Sequence, residues 1–214
     1  MSTVGGPKIL QSGIVSCLDI GDRNCYSGSG SSMQDTVLNA TWVDSASGPN
    51  PSWANDISNI TICVLLQKTG VLTGYASHPV NKWNGGTGNA SFVLYQFGNY
   101  NNNGADGVFG WYFTRESAGW GGISVTTLAV GQFAHMSFEY NTSTGASVYL
   151  NGNIVGTAAA AGRLGVGGAS NIIVHGPGDN GHTKVHHISM YNRSLSAREI
   201  KSNYNVLKSR WSLT

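Results

Sequence analysis

Val148-Tyr-Leu-Asn-Gly-Asn-Ile-Val155 decides the fold. Two short apolar runs flank Asn151-Gly152, and Asn-Gly is favoured in a type I′ turn because both central residues take positive φ. The stretch therefore reads as a β-hairpin. Before it, Phe133-Ala-His-Met-Ser-Phe-Glu-Tyr-Asn141 alternates as a strand, and Lys184-Val-His-His-Ile-Ser-Met-Tyr-Asn-Arg193 after it does the same. Leu195-Ser-Ala-Arg-Glu-Ile200 then opens a short closing helix. Ser194 or Ser196 caps it, and Glu199 stands three residues after Ser196, the spacing of a capping box. Ile200, Tyr204 and Leu207 fall on one helical face. These segments carry almost no reactive side chains, as expected of a chain built to present a surface.

The rest of the chain extends the pattern. Residues 1–12 read as an extended lead-in and residues 13–214 as one domain. Residues 13–20 alternate as a strand, 23–32 form a Gly/Ser loop, and 33–53 hold one or two short strands broken at Gly48-Pro-Asn-Pro51. Residues 57–67 predict a central strand, with Ile60, Ile62, Val64 and Leu66 on one face and Cys63 and Leu65 on the other. A glycine-rich loop spans 81–89, a strand 90–97, and a polar loop 99–107. Residues 108–114 put Phe109, Trp111 and Phe113 on one face and Tyr112 on the other. Further strands are expected at 123–130, 134–140 and 171–175, and 157–170 reads as strand edge and loop because glycine interrupts it. Many short strands with frequent turn signals predict an all-β sandwich, most simply a jelly roll, with one C-terminal helix.

Composition narrows the function classes. Charged residues are 10% of the 214 and the formal net charge is +2, which argues against a nucleic-acid partner. Glycine occurs 30 times and proline 5 times, while 40% of the chain is apolar, so it is a folded β protein and not a disordered one. The longest apolar run, Thr61-Ile-Cys-Val-Leu-Leu66, suits a buried strand and is too short for membrane insertion. The start, Met1-Ser-Thr-Val-Gly-Gly-Pro-Lys8, has no secretory pattern. Cys17, Cys25 and Cys63 are accordingly expected as reduced thiols in a cytosolically folded protein, with a Cys17–Cys25 bridge as the alternative. Asn-x-Ser/Thr sequons at Asn39, Asn59, Asn89, Asn141 and Asn192 are read as a consequence of an Asn-, Ser- and Thr-rich composition.

Three motifs together resemble a known family. His135-Met-Ser-Phe-Glu-Tyr140, Val148-Tyr-Leu-Asn-Gly-Asn-Ile-Val-Gly156 and Ile188-Ser-Met-Tyr-Asn-Arg-Ser-Leu-Ser-Ala-Arg-Glu-Ile200 resemble the C-terminal half of concanavalin A-like jelly rolls of the laminin-G type. Gly5-Gly-Pro-Lys-Ile-Leu-Gln-Ser-Gly-Ile-Val-Ser-Cys-Leu-Asp19 with Tyr26-Ser-Gly-Ser-Gly30, and the ending Asn203-Tyr-Asn-Val-Leu-Lys-Ser-Arg-Trp211, resemble tailed-phage members of that group. The resemblance implies a virion structural protein, assembled in the host cytoplasm as a capsid decoration, head fibre or tail component, with other virion proteins as partners and a homo-oligomer as a further expectation. It equally implies a lectin scaffold, and the alternative reading is an adhesin that recognises host-surface glycans.

The chemistry expected is sparse. The usual glycosidase uses two carboxylates facing one sugar. The ten acidic residues form no i, i+2 or i, i+4 pair: Asp19 and Asp22 are three apart, and Glu116, Glu139 and Glu199 are isolated. On that absence the chain is expected not to be an enzyme. The resemblance raises calcium at Asp106 and Asp179, but His186 and His187 stand where relatives often carry an acid, and both aspartates read more simply as turn formers. His175, His182, His186 and His187 lie close in sequence with no cysteine nearby, and read as edge-strand histidines, hydrogen-bonded or solvated, with no metal and no cofactor expected. No Ser-His-Asp triad or phosphate loop is visible. The remaining signal is aromatic. Trp83, Tyr100 and Trp120 stand beside Gly or Asn, and with Asn101 they are the candidate ligand-binding residues: a sugar face stacks on such rings while amides bond its hydroxyls. The plainer reading has Trp120 packing on a sheet face and Trp83 pinning its loop.

Overall fold

The computed structural model describes residues 12–19, 32–35, 40–43, 57–72, 76–83, 91–97, 108–115, 119–160, 162–164, 172–174, 182–211 and 213. Two antiparallel sheets pack face to face. One has six strands: β1 (Ile14–Asp19), β13 (Thr183–Tyr191), β4 (Asn59–Lys68), β9 (Phe133–Asn141), β10 (Gly145–Leu150) and β11 (Asn153–Ala158), in that order across the sheet. The other has five, in the order β12 (Ile173–Val174), β5 (Ala76–Lys82), β6 (Phe92–Phe97), β7 (Val108–Arg115) and β8 (Gly119–Thr127). β2 (Ser32–Asp35) and β3 (Ala40–Val43) pair as a separate ribbon, and α1 (Ala197–Trp211) follows the last strand.

Period-two alternation fills the core. Ile60, Ile62, Val64 and Leu66 point from β4 into the sandwich, where they meet Phe92 and Leu94 of β6 and Phe109, Trp111 and Phe113 of β7. The Trp111 ring stacks on Phe138 with centroids 5.4 Å apart, and Phe113 lies 5.3 Å from Phe138, so aromatic contacts tie the two sheets together. One polar contact also crosses the core. The buried Thr183 hydroxyl donates to Gln96 Oε1 at 2.5 Å, satisfying two groups that would otherwise be stranded.

The hairpin has the expected turn: Asn151 and Gly152 have φ of 52° and 74°. The helix has its expected cap. The Ser196 amide donates to Glu199 Oε2, and the Glu199 amide to Ser196 Oγ. Ile200, Tyr204 and Leu207 are buried against the outer face of the six-stranded sheet, on Cys63, Leu65, Tyr149 and Tyr191. The molecule thus has three layers: helix, six-stranded sheet, five-stranded sheet.

Two expectations change. β5 is a strand where none was expected, and Asn81 and Lys82, assigned to the glycine-rich loop, complete it. Pro79 hid it, since proline cannot donate to a ladder. The chain resolves this with an irregularity between Ser77 and Val80, so Pro79 sits where the register shifts. β8 begins at Gly119 and ends at Thr127, earlier than its apolar residues indicate, because Gly121 and Gly122 pair with Phe113 and Tyr112 instead of breaking the strand.

Candidate functional site: an aromatic groove on the five-stranded sheet

The inward alternation of β6 and β7 leaves a second set of residues on the outer face. Val93, Tyr95 and Phe97 come from β6 and Tyr112 from β7. Ala76 and His78 of β5, Trp120 of β8 and Trp83, one residue past β5, complete the walls of a groove of about 260 Å³. Tyr95 and Tyr112 stack with centroids 4.3 Å apart, and Phe97 meets Tyr95 edge-on, also at 4.3 Å. Trp83 stands perpendicular to Trp120 at 6.3 Å and to His78 at 5.3 Å, and Trp120 is perpendicular to Tyr112 at 6.2 Å. Edge-to-face packing of this kind orients each ring by its neighbour.

Glycines make room for the rings. A Cβ at Gly110 would lie 2.5 Å from the Tyr95 hydroxyl, and one at Gly122 would run into the Tyr112 ring. Burial pushes the Tyr95 hydroxyl up to about 12, with Ser124 opposing the shift and Tyr112 adding to it, so the phenol keeps its proton and remains a donor. Trp120 is 38% exposed, an unusual position for a large aromatic residue on a sheet.

Of the four candidate ligand-binding residues, Trp83 and Trp120 are brought together in one groove although they lie on different strand ends. Tyr100 and Asn101 lie outside the described residues, as do Asp106, Asp179, Glu116 and His175. The sequence reading missed Tyr95, Phe97, Tyr112 and His78. A signal existed for three of them: residues 92–97 and 108–113 are apolar on both faces, and a sheet covered on one side only must show its second face to solvent.

The histidines need correction. β13 is an interior strand between β1 and β4, so His186 and His187 are not edge residues and are not solvated: they are 5% and 1% exposed. An irregularity between Val185 and His187 turns both toward the helix layer. His186 lies 3.3 Å from Gln67 Oε1 and 4.8 Å from the Trp211 ring, while His187 shares the row of Leu65 and the buried His135. Among the described acids, Glu139 is buried on β9 and raised by burial, against hydrogen bonds from Ser194 and Ser147. Glu199 pairs with Arg193 at 2.7 Å. Neither borders the groove.

A family model described as the concanavalin A-like lectin/glucanases superfamily matches residues 41–201. The chain belongs to this family. No curated protein matches it. Among solved structures, the lectin/glucanase domain is similar to the binding domain of Paraclostridial mosquitocidal protein 1 (TM-score 0.66, 12% identity, 92% of this chain and 52% of that one). It is similar to the ligand-binding domain of botulinum neurotoxin serotype D in complex with N-acetylneuraminic acid (0.63, 12%, 90% and 50%). It also resembles Trypanosoma rangeli sialidase in complex with a difluoro sugar acid (0.63, 15%, 100% and 35%). At these identities the likeness is one of fold, and the domain spans about half of the two toxin chains and about a third of the sialidase.

These likenesses overturn the expectation that the chain is not an enzyme. The family joins lectins with glucanases, and the fold recurs in a sialidase. The argument from missing carboxylate pairs was also too narrow, because not every glycoside hydrolase depends on two paired carboxylates.

Proposed function

We propose that this domain is a carbohydrate-binding module, an adhesin-like lectin that holds a saccharide in the groove of Trp83, Tyr95, Tyr112 and Trp120. The observation that carries the reading is the half-open aromatic wall itself. Trp120, exposed at the surface, is held edge-on to Trp83 and Tyr112, where the C–H face of a pyranose stacks, with the His78 imidazole on the same wall. Binding domains of two toxins with the same fold, one of them complexed with N-acetylneuraminic acid, support the class.

The test is a glycan array followed by calorimetry. The wild-type domain is expected to bind at least one array glycan, and Trp120→Ala to weaken that binding about tenfold or more while leaving the melting temperature within a few degrees. Trp120 is exposed enough that its removal opens no core cavity. Absence of any glycan binding at millimolar ligand would sink the proposal. For the setting, the terminal motifs that resemble tailed-phage proteins support a virion, and detection of the chain in purified particles tests that.

A further inference from the structure

If the groove is a saccharide site, its charge identifies the class of sugar, and the inference rests on that reading. We infer that the groove takes an uncharged saccharide and discriminates against sugars that carry a carboxylate, sulfate or phosphate.

The walls are Ala76, His78, Trp83, Val93, Tyr95, Phe97, Tyr112 and Trp120, with no Lys, Arg, Asp or Glu among these described residues. The five strands of this sheet hold two Lys or Arg residues, and neither serves the groove. Lys82 is fully buried and pairs in register with the core residue Phe92. Arg115 lies over the core-side ring of Phe113, 5.5 Å from its centroid, and donates to the Ala159 carbonyl at 3.1 Å. It is thus committed to the opposite face.

The sequence of the connecting segments points the same way. Residues 73–75, 84–90, 98–107 and 116–118, which join the groove strands, contain no Lys and no Arg, and their charged residues are Asp106 and Glu116. Residues 165–171 and 175–181, on either side of β12, add Asp179 and again no Lys or Arg. An anionic sugar would have to leave water for a wall whose described residues offer no full positive charge. Burying an unpaired carboxylate is costly. A neutral pyranose meets no such cost: its apolar face stacks on the Trp120 and Trp83 rings and its hydroxyls reach His78 or stay in water. The domain in this respect departs from the toxin domain of similar fold that holds N-acetylneuraminic acid.

The experiment uses matched pairs that differ by one acid group: lactose with its galacturonic acid form, and cellobiose with its terminal uronic acid, plus the best neutral array hit with its sulfated form. Titration is run at about pH 8, so that imidazoles contribute no charge. The neutral member of the bound pair is expected to bind about tenfold or more tightly than its acidic partner. Ala76→Lys, which places a cation on the wall, is expected to shift the ratio of acidic to neutral affinity about tenfold toward the acidic member. Equal or tighter binding of the acidic members by the wild-type domain overturns the inference and leaves the carbohydrate reading intact. Silence toward every glycan, neutral and acidic, refutes both together.

Discussion

Gly110 on β7 faces Tyr95 on β6, and a Cβ built there would lie 2.5 Å from the tyrosine hydroxyl and 2.6 Å from the Ile123 carbonyl. The second contact is backbone and cannot swing away. Gly110→Ala is therefore expected to cost about 1–3 kcal/mol in urea unfolding, the range of overpacking. Gly122 differs, since the three atoms nearest its added Cβ all belong to the Tyr112 ring and none is backbone. Gly122→Ala is expected to leave stability within about 1 kcal/mol and to lower saccharide affinity by disturbing the stacked wall. Stability loss at Gly122 matching that at Gly110 would show that the Tyr112 ring is fixed in place. At this scale Trp83 and Trp120 stand out in the sequence by their Gly and Asn neighbours, a weak mark, since Trp111 follows Gly110 and is fully buried. Tyr95 and Tyr112 do not, because on a strand an aromatic residue reads alike whether the face it occupies is covered or open.

The closing helix shows how an element is specified locally. Ser196 and Glu199 exchange the capping hydrogen bonds, and Arg193 adds a bidentate contact to the Glu199 carboxylate at 2.7 and 3.3 Å. Ser196→Ala is expected to destabilise the protein by about 1 kcal/mol, measured by thermal or urea unfolding. The Arg193 guanidinium and the Ser196 donors hold the Glu199 carboxyl down at about 2. A depressed acid stabilises the fold above its unfolded pKa, and the contribution is lost as pH falls from the ordinary carboxylate range toward 2; the pair is about a third exposed, so solvent reduces its size. β5 is the opposite case. Its pairing with β6 overrides the propensity of a Pro-containing segment, and a strand that depends on its neighbours leaves little trace in its own residues.

Across the whole molecule, the third layer is the unusual one, because the helix does not rest on a purely apolar sheet face. Cys63, Ser137 and Ser189 form one buried row beneath it and His135, Leu65 and His187 the next. The His135 ring lies 5.8 Å from Tyr204 of the helix, and both its ring nitrogens are buried with no hydrogen-bond partner among the described residues. The groups facing this site are His187, the Cys63 thiol (raised by burial to about 11), Tyr204 and Tyr191, with Lys201 over the Tyr204 ring. Burial, with a smaller contribution from His187, pushes His135 down to about 3. The unfolded chain therefore takes up a proton near pH 6.5 that the folded one refuses, and stability falls as pH drops from that point toward 3. Between pH 7.5 and 5 the loss from this group is expected to be about 2 kcal/mol, read by urea unfolding at each pH, and His135→Leu is expected to remove most of it. An unchanged pH profile in the variant would mean that the site does not exclude the proton. The sequence by itself determined most of the strands (β5 aside), the Asn151-Gly152 turn, the capped helix and hence the sandwich, because each is written in short-range periodicity and turn chemistry. Only the tertiary structure decided which face of the five-stranded sheet stays open, that Trp83 and Trp120 share it with two tyrosines, and that two adjacent histidines go under the helix. These depend on which strands neighbour each other and on where the register slips, and non-local pairing leaves no local pattern in the chain.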